Sequence, residues 1–332
     1  MIHPIPPGTR DVLPEEMREL RSLQRSLIDL FEERGYGEVA TPAIEYDEVL
    51  ARGDGRGAGG AYRFFDGSGD LLALRSDMTV PIARLVASRF ADTEPPLRLS
   101  YLASAYRAVR PQRGQMREFV QAGVELIGAP APAGTAEVVE VLEAALDAAG
   151  LDRAVIGLGD ADLYRQLLTE LGVEGEARDS IIARLATHDL VGLEAELSEL
   201  EGIGAEQAAT CVALSQLRGG SEVLARAREL GGGAVERATA RLQETYEELE
   251  RRGAAGRIQI DLGLLRDLGY YSGAILEVYD PALGHVLGGG GRYDGLMKRF
   301  GVDLPAAGFS LYLERVHVAQ MEEESRRRGE GR

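Results

Sequence analysis

The chain carries its strand-like segments at its two ends. An Ala-, Leu- and Glu-rich stretch from about 151 to 255 stands between them. Gly172, Gly202, Gly204, Gly219-Gly220 and Gly231 to Gly233 break that stretch into pieces, which reads as helices joined by turns. Within it Val235, Ala238, Leu242, Tyr246 and Leu249 form one apolar helical face. The flanking strands connect mostly through hairpins. That organisation predicts an α/β domain in the α+β sense, an antiparallel sheet flanked by helices, rather than a doubly wound sheet. Residues 1–150 and 256–320 then make one domain, 151–255 a mostly helical insertion, and 321–332 a solvated tail.

Local patterns fill in this frame. Met17, Leu20, Leu23, Leu27, Leu30 and Phe31 recur at helical spacing after Pro14, and Gly35 ends that helix. Glu38 to Pro42 reads as a short edge strand. Tyr62 to Phe65 and Leu71 to Leu74 read as a hairpin around Asp66 to Asp70. Asp77 to Phe90 reads as a helix with Pro81 in its first turn. Leu97 to Tyr106 and Glu118 to Leu126 read as strands, and Ala136 to Ala149 as a strong helix. Strand character returns at Ile258 to Leu262. Ala274 to Tyr279 pairs plausibly with His285 to Leu287 across Asp280-Pro281, a glycine-rich turn follows at Gly288 to Gly291, and Leu311 to Met321 forms the last helix.

Charge and rare residues narrow the function classes. The formal net charge is −17, which argues against a diffuse nucleic-acid or anionic-membrane surface. No apolar run nears the roughly 18 residues of a membrane span, and the N-terminus shows no signal-peptide pattern, so a cytoplasmic location is expected. Cys211 is the single cysteine; it allows no internal disulfide or thiolate zinc cluster, and its apolar surroundings suit a buried structural thiol. His3, His188, His285 and His317 have no metal-ligand spacing. Neither a metal nor a resident cofactor is expected.

The richest segment for chemistry lies between the strands at 97–106 and 118–126. Arg107, Arg110, Arg113 and Arg117 fall within eleven residues, and guanidinium forks suit carboxylates or phosphates. The run Tyr106 to Phe119 resembles motif 2 of class II aminoacyl-tRNA synthetases in the version found in histidyl-tRNA synthetases. Other pieces follow in order. Pro7 to Asp11 with Leu13-Pro14 resembles that family's N-terminal signature, and Glu38 to Pro42 its dimer-forming motif 1. Leu74 to Thr79 resembles an LRPEGT segment, and Leu265 to Gly273 the histidine-specific element. Gly290 to Asp294, and Gly308-Phe309 with Glu314-Arg315, resemble the glycine-rich segment and motif 3.

Departures from the pattern carry information too. The motif 2 glutamate is Val109, the motif 3 glycine is Tyr312, and in the histidine-specific element Asp267 and Gly269 stand in place of Gly and Asp. Only residues 316–332 follow motif 3, so no anticodon-binding domain is expected in this stretch. The combination resembles the regulatory subunits of ATP phosphoribosyltransferase, synthetase paralogues of bacterial histidine biosynthesis. The resemblance implies a subunit without catalytic residues of its own. It implies a homodimer that partners a short-form catalytic subunit, takes histidine as feedback effector and does not act on tRNA. The alternatives are a histidine-adenylating enzyme and an amino-acid-sensing module.

The resemblance also assigns a histidine site. It places Asp77, Thr79 and Gln121 near the ammonium, Arg107 on the carboxylate with Arg266 in support, and Glu125, Tyr270 and Tyr271 at the imidazole. Read from the residues alone, Gln121 and Glu125 differ by an even number and share a strand face. Tyr270 and Tyr271 would face opposite ways on a strand, leaving one of them structural. Asp77 can also cap the following helix.

Overall fold

In the computed structural model, residues 5–54, 60–108, 116–266, 269–281 and 283–329 are described. Among the described residues there are twelve strands, in chain order β1 (Gly37–Glu38), β2 (Ile44–Tyr46), β3 (Arg63–Phe65), β4 (Leu71–Leu74), β5 (Leu97–Tyr106) and β6 (Glu118–Ile127), then β7 (Val155–Asp160), β8 (Arg218–Gly219), β9 (Ile258–Asp261), β10 (Ala274–Tyr279), β11 (Gly288–Arg292) and β12 (Ala306–Tyr312). Nine of them form one sheet in the order β1-β5-β6-β12-β11-β10-β7-β9-β8, and β2-β4-β3 form a small second sheet. The pairs β1–β5 and β7–β9 run parallel and the others antiparallel. The sheet is therefore mixed, antiparallel at its centre, with helices against it, in line with the α+β reading.

Sequence proximity builds the left half of the sheet. β5 and β6 pair along their whole lengths, from Leu97 opposite Ile127 to Tyr106 opposite Glu118. The far half arrives from the C-terminal segment: β12 docks antiparallel on β6, with Tyr312 opposite Gln121 and Gly308 opposite Glu125. The glycine-rich segment is a correction to the sequence reading. Gly288 to Arg292 is a fully buried strand, paired on one edge to β10 and on the other to β12. Turn chemistry misleads here because the glycines serve close approach: a β-carbon at Gly289 would fall 1.7 Å from the Arg266 guanidinium. Val278 pairs with Gly288, so β10 pairs mainly with the glycines, and of the segment His285 to Leu287 it is Leu287 that reaches it, donating its N–H to Val278 O at 2.8 Å.

The stretch 151–255 is mostly helical but contributes two strands to the main sheet, β7 between β10 and β9 and β8 at the edge beside β9. Its long helix Gly233–Arg252 packs on the helices Ala133–Ala148 and Leu163–Glu170. One continuous apolar core runs from that packing through β6, β7 and β12. Cys211 is buried in the helix Ala205–Gln216, where burial pushes its thiol up to about 11, as an inert structural thiol requires.

The last helix runs Leu313–Arg327, past the start of the expected solvated tail. Glu323 explains the extension: it is buried and accepts hydrogen bonds from the backbone N–H groups of Asp152 and Arg153, 3.1 Å each. At the other end of the domain, the helix Thr79–Arg89 begins as Asp77 Oδ1 accepts from Val80 N at 3.2 Å, so Asp77 does serve the helix start. Among the described residues no helix is long and apolar enough to cross a membrane.

Candidate functional site

β6 and β12 lie side by side at the centre of the sheet, and the helix start at Asp77 meets the same face. There the predicted residues converge. Asp77, Thr79, Arg107, Gln121, Arg266, Tyr270 and Tyr271 all line one cleft. Glu125, the eighth, stands one layer behind it, 1 % exposed. Its Oε1 accepts from the Thr79 hydroxyl at 2.8 Å, and its Oε2 from the Tyr293 hydroxyl. Both carboxyl oxygens are thus occupied by neighbours that themselves line the cleft or its wall. While both oxygens are held in this way, Glu125 does not offer the direct contact with an imidazole that the resemblance implies. The even spacing of Gln121 and Glu125 holds, since their cross-strand partners Tyr312 and Gly308 lie on one strand with the same spacing.

The Thr79 contact has a chemical consequence. A hydroxyl that gives its proton to Glu125 keeps its lone pairs, and the Tyr270 phenol is hydrogen-bonded to the same hydroxyl on the cleft side. Gln121 adds an acceptor by another route. Its amide nitrogen donates to Ser310 Oγ at 3.1 Å, while its buried Oε1 has no hydrogen-bond partner among the described residues. A buried acceptor without a donor costs about 1–3 kcal/mol. With the Asp77 carboxyl in the same lining, these groups give the cleft acceptors for a cationic donor.

Two guanidinium groups, those of Arg107 and Arg266, line the same cleft. Arg107 Nε donates to Ser76 O at 3.3 Å and NH1 to the Tyr312 hydroxyl at 3.4 Å. Arg266 NH1 donates to Leu276 O at 3.2 Å, and its guanidinium lies 5.9 Å from the centre of the Tyr271 ring. Each guanidinium has five N–H groups, so among the described residues both keep donors for a carboxylate.

Tyr270 and Tyr271 both line the cleft, which alternation on a strand would forbid. They sit in a turn before β10, not in a strand. Their ring centres are 4.9 Å apart with a 52° tilt, and Tyr270 meets Tyr293 edge-on at 6.0 Å. Tyr101, Ser310, Tyr293 and Tyr312 are lining residues that sequence reasoning did not assign to the site. For Tyr293 the signal lay in the Gly290 to Asp294 segment, whose glycines bring its ring to Glu125.

Burial dominates the electrostatics. It pushes the Glu125 carboxyl up to about 8, against the pull of the Tyr293 and Thr79 hydrogen bonds. Burial also raises Asp77, opposed by the Val80 N–H and the Arg107 charge. Tyr312 moves the other way. Burial alone would raise it, but Arg107, Arg266 and Arg315 hold its phenol below the usual value. In this conformation the cleft encloses only about 20 Å³, the room of roughly one water molecule.

Val109, the residue in place of the motif 2 glutamate, and Asp267 lie outside the described residues, as do Arg110 and Arg113.

Comparison with known proteins identifies the fold and the family. The histidyl-tRNA synthetase family model matches residues 8–316. An ATP phosphoribosyltransferase regulatory subunit from Moorella thermoacetica is 43% identical over 322 residues, covering 96% of this chain and 82% of that protein. A crystal structure from Bacillus halodurans, described as an ATP phosphoribosyltransferase regulatory subunit/histidyl-tRNA synthetase, superposes with a TM-score of 0.87 at 33% identity, covering 96% of this chain and 84% of that one. A histidine–tRNA ligase subunit from Alicyclobacillus acidocaldarius superposes with a TM-score of 0.83 at 28% identity, covering 98% and 99%. The chain belongs to the histidyl-tRNA synthetase family and, within it, to the ATP phosphoribosyltransferase regulatory subunits.

Proposed function

We propose that this chain binds free histidine without reacting with it and passes that information to a short-form catalytic subunit of ATP phosphoribosyltransferase. The carrying observation is the cleft itself. Its lining combines acceptors (Asp77, Thr79 and Gln121 Oε1, which has no partner among the described residues) with two guanidinium groups (Arg107 and Arg266). That combination matches the ammonium and carboxylate of an amino acid. Tyr270 and Tyr271 supply phenols for an imidazole, and Glu125 acts through Thr79 and Tyr293. On this reading the chain has no catalytic residues, takes no cofactor, does not act on tRNA and works in the cytoplasm as a homodimer. The small sheet supports the dimer: Ile44, Tyr46 and Phe64 project from one of its faces and are 47%, 51% and 38% exposed.

Histidine inhibits the assembly only if it binds the inactive state more tightly than the active one. A coupling of about 1–3 kcal/mol gives roughly 5–150-fold inhibition. The test is co-purification with a short-form catalytic subunit, assayed for ATP phosphoribosyltransferase activity. The expected result is activity that needs this chain and falls with added histidine. Activity indifferent to both would end the proposal.

A second reading, histidine adenylation, is favoured by one observation. Arg107 and Arg315 line a further cavity of about 400 Å³ beside Phe119. Histidine-dependent exchange of pyrophosphate into ATP by the lone chain would establish it.

A further inference from the structure

The cleft and the 400 Å³ cavity are neighbours that share two lining residues, Arg107 and Tyr312. Tyr312 ends β12 directly opposite Gln121. Its ring is held on several sides. Phe119 meets it edge-on with centres 5.4 Å apart, the Arg315 guanidinium lies 4.8 Å from its centre, and Arg107 lies 5.8 Å away on the ring while also donating to its hydroxyl. The far cavity has Met116, Phe119, Leu283 and Val318 in its wall, together with charged side chains such as Arg10 and Glu314. The residue that resemblance to motif 3 leads one to expect here is glycine, which would leave the two spaces joined.

We propose that Tyr312 is a partition that makes the cleft selective for an amino acid whose carboxylate is free. This rests on the histidine reading given above. A ligand whose carboxylate meets Arg107 has that end against the Tyr312 ring. A bare carboxylate ends there. An ester or amide substituent has to continue into the volume that the ring holds. The same wall that blocks substitution also supplies part of the recognition, since the phenol sits among Arg107, Arg266 and Arg315, whose positive field favours an oxygen-rich neighbour. The chain would thereby respond to the free amino acid and ignore esterified or amidated forms of it.

Calorimetric titration of the full chain with histidine, histidinamide and histidine benzylamide tests this. The two amides share one charge and differ only in the substituent, so their affinity ratio reports the wall and not the lost carboxylate. The unsubstituted chain is expected to bind the benzylamide at least tenfold more weakly than histidinamide. Tyr312→Gly is expected to gain benzylamide affinity relative to histidinamide by at least tenfold, and Tyr312→Ala, a second variant in case glycine disturbs the strand, to follow it. Tyr312→Phe keeps the ring and is expected to keep the discrimination while binding histidine more weakly. Retained histidine binding with an unchanged amide ratio in both small variants overturns the partition alone. An unsubstituted chain that fails to bind histidine overturns the site reading, and the partition falls with it.

Discussion

Gly308 lies directly across the sheet from Glu125, and a β-carbon there would fall 1.8 Å from Glu125 Oε2 and 2.5 Å from Val124 O. The missing side chain is what lets a carboxyl stand upright on the sheet face between Thr79 and Tyr293. Gly308→Ala should therefore displace Glu125 from both hydroxyls. Overpacking of this kind costs about 1–3 kcal/mol, so the melting temperature should fall by several degrees and histidine affinity with it. Gly295→Ala is the control, because nothing stands within 4 Å of a β-carbon there. Equal melting of the two variants would remove the close-approach argument.

Glu125 also sets a pH dependence. Burial pushes its carboxyl up to about 8 from an ordinary value of 4.5. In that window the folded chain holds a proton that the unfolded chain has released. Stability is therefore unaffected below the unfolded value and declines as pH rises towards 8. Glu125→Gln keeps the shape and removes the titration. Thermal melts from about pH 5 to pH 9 should show a steeper decline for the unsubstituted chain than for the variant, the two converging at the acid end. Parallel curves would place the linked proton elsewhere.

How much of this was legible beforehand depends on the kind of signal. Periodic segments read well: the helix after Pro14, the β5–β6 pair and the β3–β4 hairpin lie where spacing places them. Local propensity failed where tertiary contact overrode it. Glycines 288 to 291 look like a turn, yet they are a central strand because Arg266 needs the space above Gly289. The alternation rule misjudged Tyr270 and Tyr271 because it presumes a strand where the chain makes a turn. Glu323 reads as part of a charged tail, and only the fold brings the N–H groups of Asp152 and Arg153 to it. Resemblance brought seven of the eight named residues to the cleft lining, but Tyr293, Tyr101 and Ser310 needed the sheet register to be seen.

Gln121 separates binding from stability. Its Oε1 is buried and unpartnered among the described residues, so it weakens the empty chain and awaits a donor. Gln121→Leu should reduce histidine affinity by about 10- to 100-fold, the equivalent of the 1–3 kcal/mol carried by a buried polar group. The melting temperature of the empty chain should not fall. A variant that binds histidine normally would take Gln121 out of the site.

The outward face of the small sheet predicts the assembly. Tyr46 and Phe64 both pair with Leu72, so the three side chains share a face. Exposed apolar faces of this kind are common at subunit contacts. Tyr46→Glu with Phe64→Glu should shift sedimentation of the chain from dimer to monomer without loss of helical circular dichroism. A dimer that survives both charges would move the contact to another surface.

The contracted cleft makes the last prediction. About 20 Å³ holds a water and not an amino acid. Histidine can occupy the site only if the Tyr270–Tyr271 pair, now 4.9 Å between ring centres, and the Arg266 guanidinium beside Tyr271 shift apart. Ring environments therefore have to change on binding, and the sequence contains no tryptophan to mask the tyrosine bands. Near-ultraviolet circular dichroism should change saturably with histidine. Tyr271→Phe should cut the amplitude by removing one of the displaced phenols, even where it leaves affinity within about tenfold, a difference of roughly 1.4 kcal/mol. Calorimetric binding with a silent tyrosine spectrum would mean that the ligand sits elsewhere and that the tyrosine cleft stays shut.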